Sequence, residues 1–289
     1  MIEGLLLLAA GAGAGLFGSL LGLGGGILIV PLLTLGFGLP LLTAVGISLI
    51  CVIVTSSAAA GVFLERRVAN LRLGMTLELF TACGAMVSGL VAFLLPERLL
   101  EGLFTALLVY VAITMARRRE VSPSELASEA LPEARDESEV GAAVPALDPA
   151  AERPVRTFVD GLSGPDYRVR RLGFGVIGSV FAGVTSALLG IGGGLIKVPV
   201  MHVIMGVPLR VATATSNLMI GITASASAII YLLRGGIDPY AAAPTAIGVF
   251  VGASVGSRIA SRIDLRVLRG LFVAILLYTA WQMLQRALG

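Results

Sequence analysis

Two glycine-rich stretches interrupt the apolar sequence of this chain, LGLGGGILIVP at residues 21–31 and LGIGGGLIKVP at residues 189–199. Such stretches break a helix, because glycine is about 1 kcal/mol and proline about 3 kcal/mol less favourable than alanine in a helix interior. A helix that begins at the break presents unpaired backbone amides, which favour an anion. We therefore expect a site for a small anion, although glycines also serve close helix packing. The glycines of this expected site are Gly24, Gly25, Gly26, Gly192, Gly193 and Gly194.

Lys197 is the only lysine of the chain and lies three residues after Gly194, in apolar sequence. A charged side chain within a membrane-spanning segment costs at least about 2.5 kcal/mol on insertion scales, so it usually faces a cavity and a partner. We interpret Lys197 as the counter-charge for the anion. The alternative is a lysine that extends its ammonium group to the membrane interface from a short helix.

Glu78 and His202, the only histidine, are candidates for proton coupling, because each can gain or lose a proton. Glu78 lies about five residues inside a predicted long helix. An ion pair of Glu78 with Arg72 near the interface, and an interfacial position for His202, are the alternatives.

Uncharged polar residues are concentrated in the helices that follow the two glycine breaks. Ser48 and Ser216 lie 168 residues apart, as the two breaks do, and Asn217 is adjacent to Ser216. Their hydroxyl and amide groups can donate hydrogen bonds to an oxyanion, and we expect them to contribute to the site. The alternative is hydrogen bonding between helices, which contributes only about 0.6 kcal/mol on average in membranes.

The composition is that of a membrane protein: 56% of the 289 residues are hydrophobic, 13% are charged and the mean hydropathy is +0.95. Soluble domains have roughly 25% charged residues. Apolar runs of about 20 residues, long enough to cross a bilayer, fill most of the sequence and predict an all-α polytopic fold. The formal net charge of +3 comes from arginines at predicted helix ends and does not indicate nucleic-acid binding. The N-terminus lacks the positive region of a cleavable signal peptide, and we expect it to be retained.

No enzyme, metal or cofactor site is predicted. The chain has no His-Glu-x-x-His motif, and no Gly-Lys-[Ser/Thr] follows the glycines, as a phosphate-binding loop would require. Cys51 and Cys83 fall inside apolar runs and are expected to be small buried packing residues.

An internal repeat runs through the chain with a constant offset of 168 residues. Of the 105 positions from Ala14 to Arg118, 36 are identical to the position 168 residues further on. A constant offset through glycines, prolines and aromatic residues indicates a duplication. We expect transmembrane repeats at residues 1–116 and 172–289. The segment between them, residues 117–171, holds 11 of the 18 acidic residues and is expected to be a cytoplasmic linker.

Each repeat is expected to contain a glycine-broken first region, re-entrant or crossing twice, and about three long transmembrane helices. The predicted helices of the first repeat are 4–21, 27–35, 41–64, 73–95 and 99–115. Those of the second repeat are 172–189, 195–205, 209–233, 241–257 and 267–288.

Arginines favour opposite loops in the two repeats. Arg66, Arg67 and Arg72 follow helix 41–64 of the first repeat, whereas the second repeat has its arginines one loop later, within residues 258–269. If basic loops stay in the cytoplasm, equivalent loops lie on opposite sides of the membrane. We therefore predict inverted-topology repeats with both chain termini outside. Parallel repeats, the alternative, would not explain why the basic loops differ between the two halves.

The paired Leu-Gly-[Leu/Ile]-Gly-Gly-Gly stretches with their following prolines, the ATATSN run at residues 212–217 and the last helix of each half resemble the sulfite exporter TauE/SafE family. The resemblance covers both halves and leaves out the linker. It implies a bacterial inner-membrane permease for a small sulfur-containing or organic anion, such as sulfite, sulfoacetate or a related sulfonate. Lys197 is not part of the resemblance, so its role rests on the charge argument.

These observations predict a secondary transporter that works by alternating access and holds the anion between the two breaks, closer to the second. The proton gradient or the substrate gradient would drive it, and an oligomer is compatible with the sequence. An anion channel that uses the same site is the alternative.

Overall fold

The computed structural model of the chain describes residues 2–20, 26–65, 69–117, 162–163, 167–259 and 265–288. The elements in these ranges are helices. They are α1 (Ile2–Leu20), α2 (Gly26–Pro31), α3 (Leu41–Glu65), α4 (Leu71–Ala92), α5 (Glu97–Arg117), α6 (Leu172–Leu189), α7 (Gly194–Pro199), α8 (Leu209–Leu233), α9 (Pro239–Ile259) and α10 (Leu265–Leu288). The π-helical turns Leu32–Gly36 and Val200–Ile204 directly extend α2 and α7.

Helix limits agree with the predicted ones to within a few residues. The second glycine stretch ends α6 and begins α7, as predicted, because Gly190, Gly192 and Gly193 adopt φ of 69°, 74° and 71°. Glycine enters this left-handed region without the steric penalty of a Cβ atom. In the first stretch α2 begins at Gly26, while residues 21–25, which include Gly24 and Gly25, lie outside the described ranges.

The observed α4 begins two residues earlier than predicted, because Asn70 caps it. The Asn70 side chain accepts a hydrogen bond from the backbone N–H of Leu73 at 3.1 Å. Asparagine is among the best residues for this position, since its side-chain oxygen satisfies one of the free amides of the first turn.

Six helices in the described ranges are long and apolar enough to cross a membrane. These spans are Ile2–Ser19, Leu71–Ala92, Glu97–Ala116, Leu172–Leu189, Leu209–Leu233 and Pro239–Gly256. The combined segments Gly26–Gly36 and Gly194–Ile204 have 11 residues each and rise about 16 Å at 1.5 Å per residue. That is about half of the hydrocarbon core, so these segments are too short to cross it.

Helices of the first repeat pack against helices of the second, and equivalent helices form equivalent pairs. In one pair α1 packs against α9, and in the equivalent pair α6 packs against α4. A Cβ atom on Gly84 would lie 2.6 Å from the carbonyl oxygen of Val180, and Gly252, 168 residues later, meets the carbonyl oxygen of Ala12 in the same way. α5 packs against α10 and α3 against α8. Each half therefore completes its packing only with the other half.

The two cysteines differ in burial. Cys51 is buried in α3, as predicted, but Cys83 is exposed on α4, so the prediction of burial was wrong for it. The same outer face of α4 carries Leu79, Met86 and Val87, which are also exposed. An apolar sequence does not imply burial in a membrane protein, because a lipid-facing surface is as apolar as the core.

The end of the linker is held at one end of the helix bundle. Asn70 donates from its side-chain amide to the carbonyl oxygen of Leu162 at 2.8 Å and to the Tyr167 hydroxyl at 2.7 Å. Its backbone N–H donates to Thr215 Oγ1 in α8 at 2.9 Å. The loop that follows α3, the first two turns of α8 and the end of the linker therefore meet. Of the linker itself, residues 118–161 and 164–166 lie outside the described ranges.

Candidate functional site

The two glycine breaks meet at Ser48. The Ser48 hydroxyl lies 2.7 Å from the carbonyl oxygen of Gly190 and 3.3 Å from that of Gly26. A Cβ atom on Gly26 would lie 2.8 Å from the same Gly190 oxygen. The two halves are therefore in direct contact at Gly26 and Gly190, with Ser48 between them.

Two buried hydroxyl groups beside the second break lack a hydrogen-bond partner in the described part of the chain. They are Ser186 Oγ in α6 and Ser216 Oγ in α8, residues that are 0% and 1% exposed. A Cβ atom on Gly193 would lie 3.5 Å from the Cβ of Ser186, and one on Gly194 would lie 3.6 Å from Ser216 Oγ. Buried polar groups are nearly always hydrogen-bonded, so these two hydroxyls can each donate a hydrogen bond to a further group.

Helix α7 begins at the same break. The N–H groups of Ile196 and Lys197 donate to the carbonyl oxygen of Gly193 at 3.2 and 3.1 Å and so close the first turn of α7. The amides that precede them have no acceptor within the helix, as at every helix N-terminus. The first turn of α7 therefore begins beside the two hydroxyls of Ser186 and Ser216.

Lys197 forms a buried cluster with Glu78 and Thr223. Lys197 Nζ lies 2.9 Å from Glu78 Oε2 and 2.6 Å from Thr223 Oγ1, and the Thr223 hydroxyl donates to Glu78 Oε1 at 2.5 Å. The three residues are between 0% and 3% exposed. Glu78 therefore pairs with Lys197, and the alternative of an interfacial pair with Arg72 does not describe this arrangement.

The other predicted residues lie in different surroundings. Asn217 is half-buried on α8, next to Ser216. His202 is exposed, and its Nδ1 lies 2.9 Å from the carbonyl oxygen of Val207 in the following loop. The structure thus brings Gly26, Ser48 and the second break together, and it leaves His202 outside the buried cluster.

Sequence reasoning missed Ser186 and the pairing of Lys197 with Glu78. Ser186 corresponds to Gly18 in the first repeat, so the repeat comparison gave it no support. Glu78 and Lys197 are 119 residues apart and come from different repeats. A signal was nevertheless present, since a lone lysine in apolar sequence requires an acidic partner, and Glu78 is an isolated acid in an apolar helix.

Comparison with known proteins agrees with this architecture. The model of the sulfite exporter TauE/SafE family matches residues 7–283. A probable membrane transporter protein of Bacillus subtilis (strain 168), YunE, is 23% identical over 254 residues, which cover 86% of this chain and 85% of that protein. No solved structure matches the chain. The apolar helices fit a multi-pass protein of the bacterial inner membrane. The chain therefore belongs to the sulfite exporter TauE/SafE family of membrane transporters.

Proposed function

We propose that this transporter carries a small oxyanion of sulfur, such as sulfite, sulfoacetate or a related sulfonate, and binds it at the second glycine break. The observation that carries the proposal is the pair of unpaired buried hydroxyls, Ser186 and Ser216, beside Gly193 and Gly194. Oxygen atoms of the anion would accept hydrogen bonds from these hydroxyls and from the first amides of α7. Lys197, four residues into α7, would supply the positive charge.

Alternating access is the mechanism we propose, since the two breaks are in contact where the halves meet. Ser48 links the breaks through Gly190 and Gly26, so a relative movement of the halves would open the site to one side or the other. The exchanged pairing of α1 with α9 and of α6 with α4 supports two similar end states. In repeat transporters, one repeat or bundle moves against the other around the binding site, which opens the site to one side of the membrane and then to the other.

Inverted topology of the repeats is part of the proposal. The equivalent helices α3 and α8 pack together, and the hydrogen bond from Asn70 to Thr215 joins the loop after α3 to the beginning of α8. The end of one helix therefore lies beside the beginning of the other, which makes them antiparallel. Equivalent helices of inverted repeats run antiparallel in this manner. We expect reporters fused to either terminus to be outside and a reporter inserted in the linker to be cytoplasmic. Protease protection of the reporters would check this, and a cytoplasmic C-terminus would contradict it.

The site can be tested with a Ser186→Ala/Ser216→Ala variant in proteoliposomes. We expect unchanged or higher stability, because a buried hydroxyl without a partner does not stabilise the fold. We also expect at least about a tenfold rise in half-saturating anion concentration, because hydrogen bonds to charged groups contribute about 1.5 to 3 kcal/mol. Counterflow of sulfite, sulfoacetate, methanesulfonate, taurine, thiosulfate and acetate would provide the measurement.

Ser225→Ala is the matched control, since Ser225 also lies on α8 but donates to the carbonyl oxygen of Gly221 within its own helix at 2.8 Å. Its half-saturating concentration should equal that of the wild type. A double variant with the same half-saturating anion concentration as the wild type would contradict the proposed site. Single-channel currents in place of saturable counterflow would favour an anion channel.

A further inference from the structure

The ion pair of Lys197 and Glu78 connects the two repeats. Lys197 belongs to α7 of the second repeat and lies three residues from Gly194, whereas Glu78 belongs to α4 of the first repeat. The Nζ–Oε2 distance of 2.9 Å and the contacts of both groups with Thr223 occupy both carboxylate oxygens. In this state the charge of Lys197 is therefore neutralised by the protein itself.

The fold does not need this pair, because the protein contains an uncharged version of it. The positions equivalent to Lys197 and Glu78 in the other repeat are Ile29 and Ala246, both buried. Thr55, the equivalent of Thr223, bonds to carbonyl oxygens of its own helix, including that of Cys51 at 3.1 Å. Buried ion pairs are seldom more stabilising than well-packed apolar residues. The charges at one of two equivalent places therefore indicate a role other than packing.

An anion can pair with the Lys197 ammonium group only if the Glu78 carboxylate no longer does so. An ionised Glu78 without a partner would be a bare charge in the protein interior, which is strongly unfavourable. A protonated Glu78 carries no charge and can still hydrogen-bond to Thr223. Release of Lys197 to the anion thus requires a proton on Glu78.

We infer that the anion and one proton bind together, the anion replacing the Glu78 carboxylate at Lys197 and the proton neutralising Glu78. This inference rests on the proposed function of the site. The carboxylate and the proton combine to the carboxylic acid, and no covalent bond to the anion forms. For a monovalent anion the net charge of Lys197, Glu78 and substrate is zero before and after binding. One proton is therefore carried with each anion, and the transport is electroneutral.

We assign the proton to Glu78 after considering the titratable side chains on the helices that pack around the pair. Helix α6, which packs against α4, has no titratable side chain. Those of α4, α7 with its π-turn, and α8, besides the pair itself, are Arg72, Cys83, His202, Arg210 and Tyr231. Within the described part of the chain, Lys197 is the charged group that acts on Glu78.

Proteoliposomes that contain the wild-type protein and an internal pH dye test the inference. The probe is methanesulfonate, which remains ionised at every pH used and so carries no proton of its own. We expect one proton to enter with each anion and the rate to be unaffected by a potassium diffusion potential set with valinomycin. The anion affinity should fall about tenfold for each unit of pH increase while binding takes up one proton.

The variant Glu78→Gln separates this inference from the proposed function. Its amide keeps hydrogen-bonding atoms near Lys197 and Thr223 but cannot exchange a proton at neutral pH. Because Lys197 loses its carboxylate, we expect lower thermal stability without anion and measurable, though altered, counterflow at saturating methanesulfonate, which replaces the missing negative charge. The pH dependence should be lost, and proton entry with the anion should fall to the background of empty liposomes. Glu101→Gln on α5, outside the site, should keep the coupling of the wild type.

Proton entry that persists in Glu78→Gln would overturn the inference, as would wild-type methanesulfonate uptake that moves no protons or responds to the membrane potential. Each of these results would leave the anion site intact. Absence of counterflow for every anion in the panel would contradict the proposed function instead.

Discussion

Replacing Lys197 by isoleucine is expected to lower the free energy of unfolding by about 3 to 5 kcal/mol. The substitution leaves Glu78, which is 3% exposed, without its cationic partner. Thr223 alone would remain to hydrogen-bond the carboxylate. Glu78 must then either remain an unpaired charge or take up a proton at neutral pH, and either costs more than the loss of the pair as a whole. Thermal unfolding in detergent at neutral pH would measure the change.

The double variant Lys197→Ile/Glu78→Ala is the matched control, because it copies Ile29 and Ala246 from the equivalent place in the other repeat. Its stability is expected to return to within about 1 kcal/mol of the wild type, since apolar residues can replace a buried ion pair without loss. It should nevertheless fail to transport the anion, because the counter-charge is absent. A single variant as stable as the wild type, or a double variant with normal counterflow, would be inconsistent with this account.

Replacing Gly252 by alanine is expected to prevent normal packing of α1 against α9. The new Cβ atom would meet the carbonyl oxygen of Ala12, a backbone atom that cannot move without shifting its helix. Gly84→Ala has the equivalent effect on α4 and α6, with the Cβ atom 2.6 Å from the carbonyl oxygen of Val180. Overpacking commonly costs about 1 to 3 kcal/mol, and we expect the upper end or more because both contacts are with backbone.

Gly102→Ala on α5 is the comparison for these variants, because a Cβ atom there would have nothing within 4 Å. Alanine is about 1 kcal/mol more favourable than glycine in a helix, so this variant should be as stable as the wild type or more so. Yields of monodisperse protein and thermal unfolding would compare the three variants. Equal stability of Gly252→Ala and Gly102→Ala would show that the crossing is looser than the contact with Ala12 implies.

Local sequence was sufficient for the helices and for the second break. Glycine and proline act on the backbone within a few residues of their own position, so α7 begins at Gly194 and α3 and α8 begin directly after Pro40 and Pro208. The 168-residue offset likewise indicated that both halves would contain the same set of helices. Apolar periodicity could not say which faces meet lipid, and for that reason the burial of Cys83 was predicted incorrectly.

The amino-acid sequence was thus enough to predict a helical membrane protein made of two similar halves, each with a broken first region, and to single out Lys197 as an isolated charge. Which side chains meet depends instead on how the helices pack. Ser48 reaches Gly190 across 142 residues, and Glu78 reaches Lys197 across 119 residues. Such pairings depend on how the helices of one half pack against those of the other, and local helix propensity does not encode this packing. Packing likewise buries Ser186 and Ser216 without a hydrogen-bond partner among the described residues, whereas Ser225 donates to a carbonyl oxygen of its own helix.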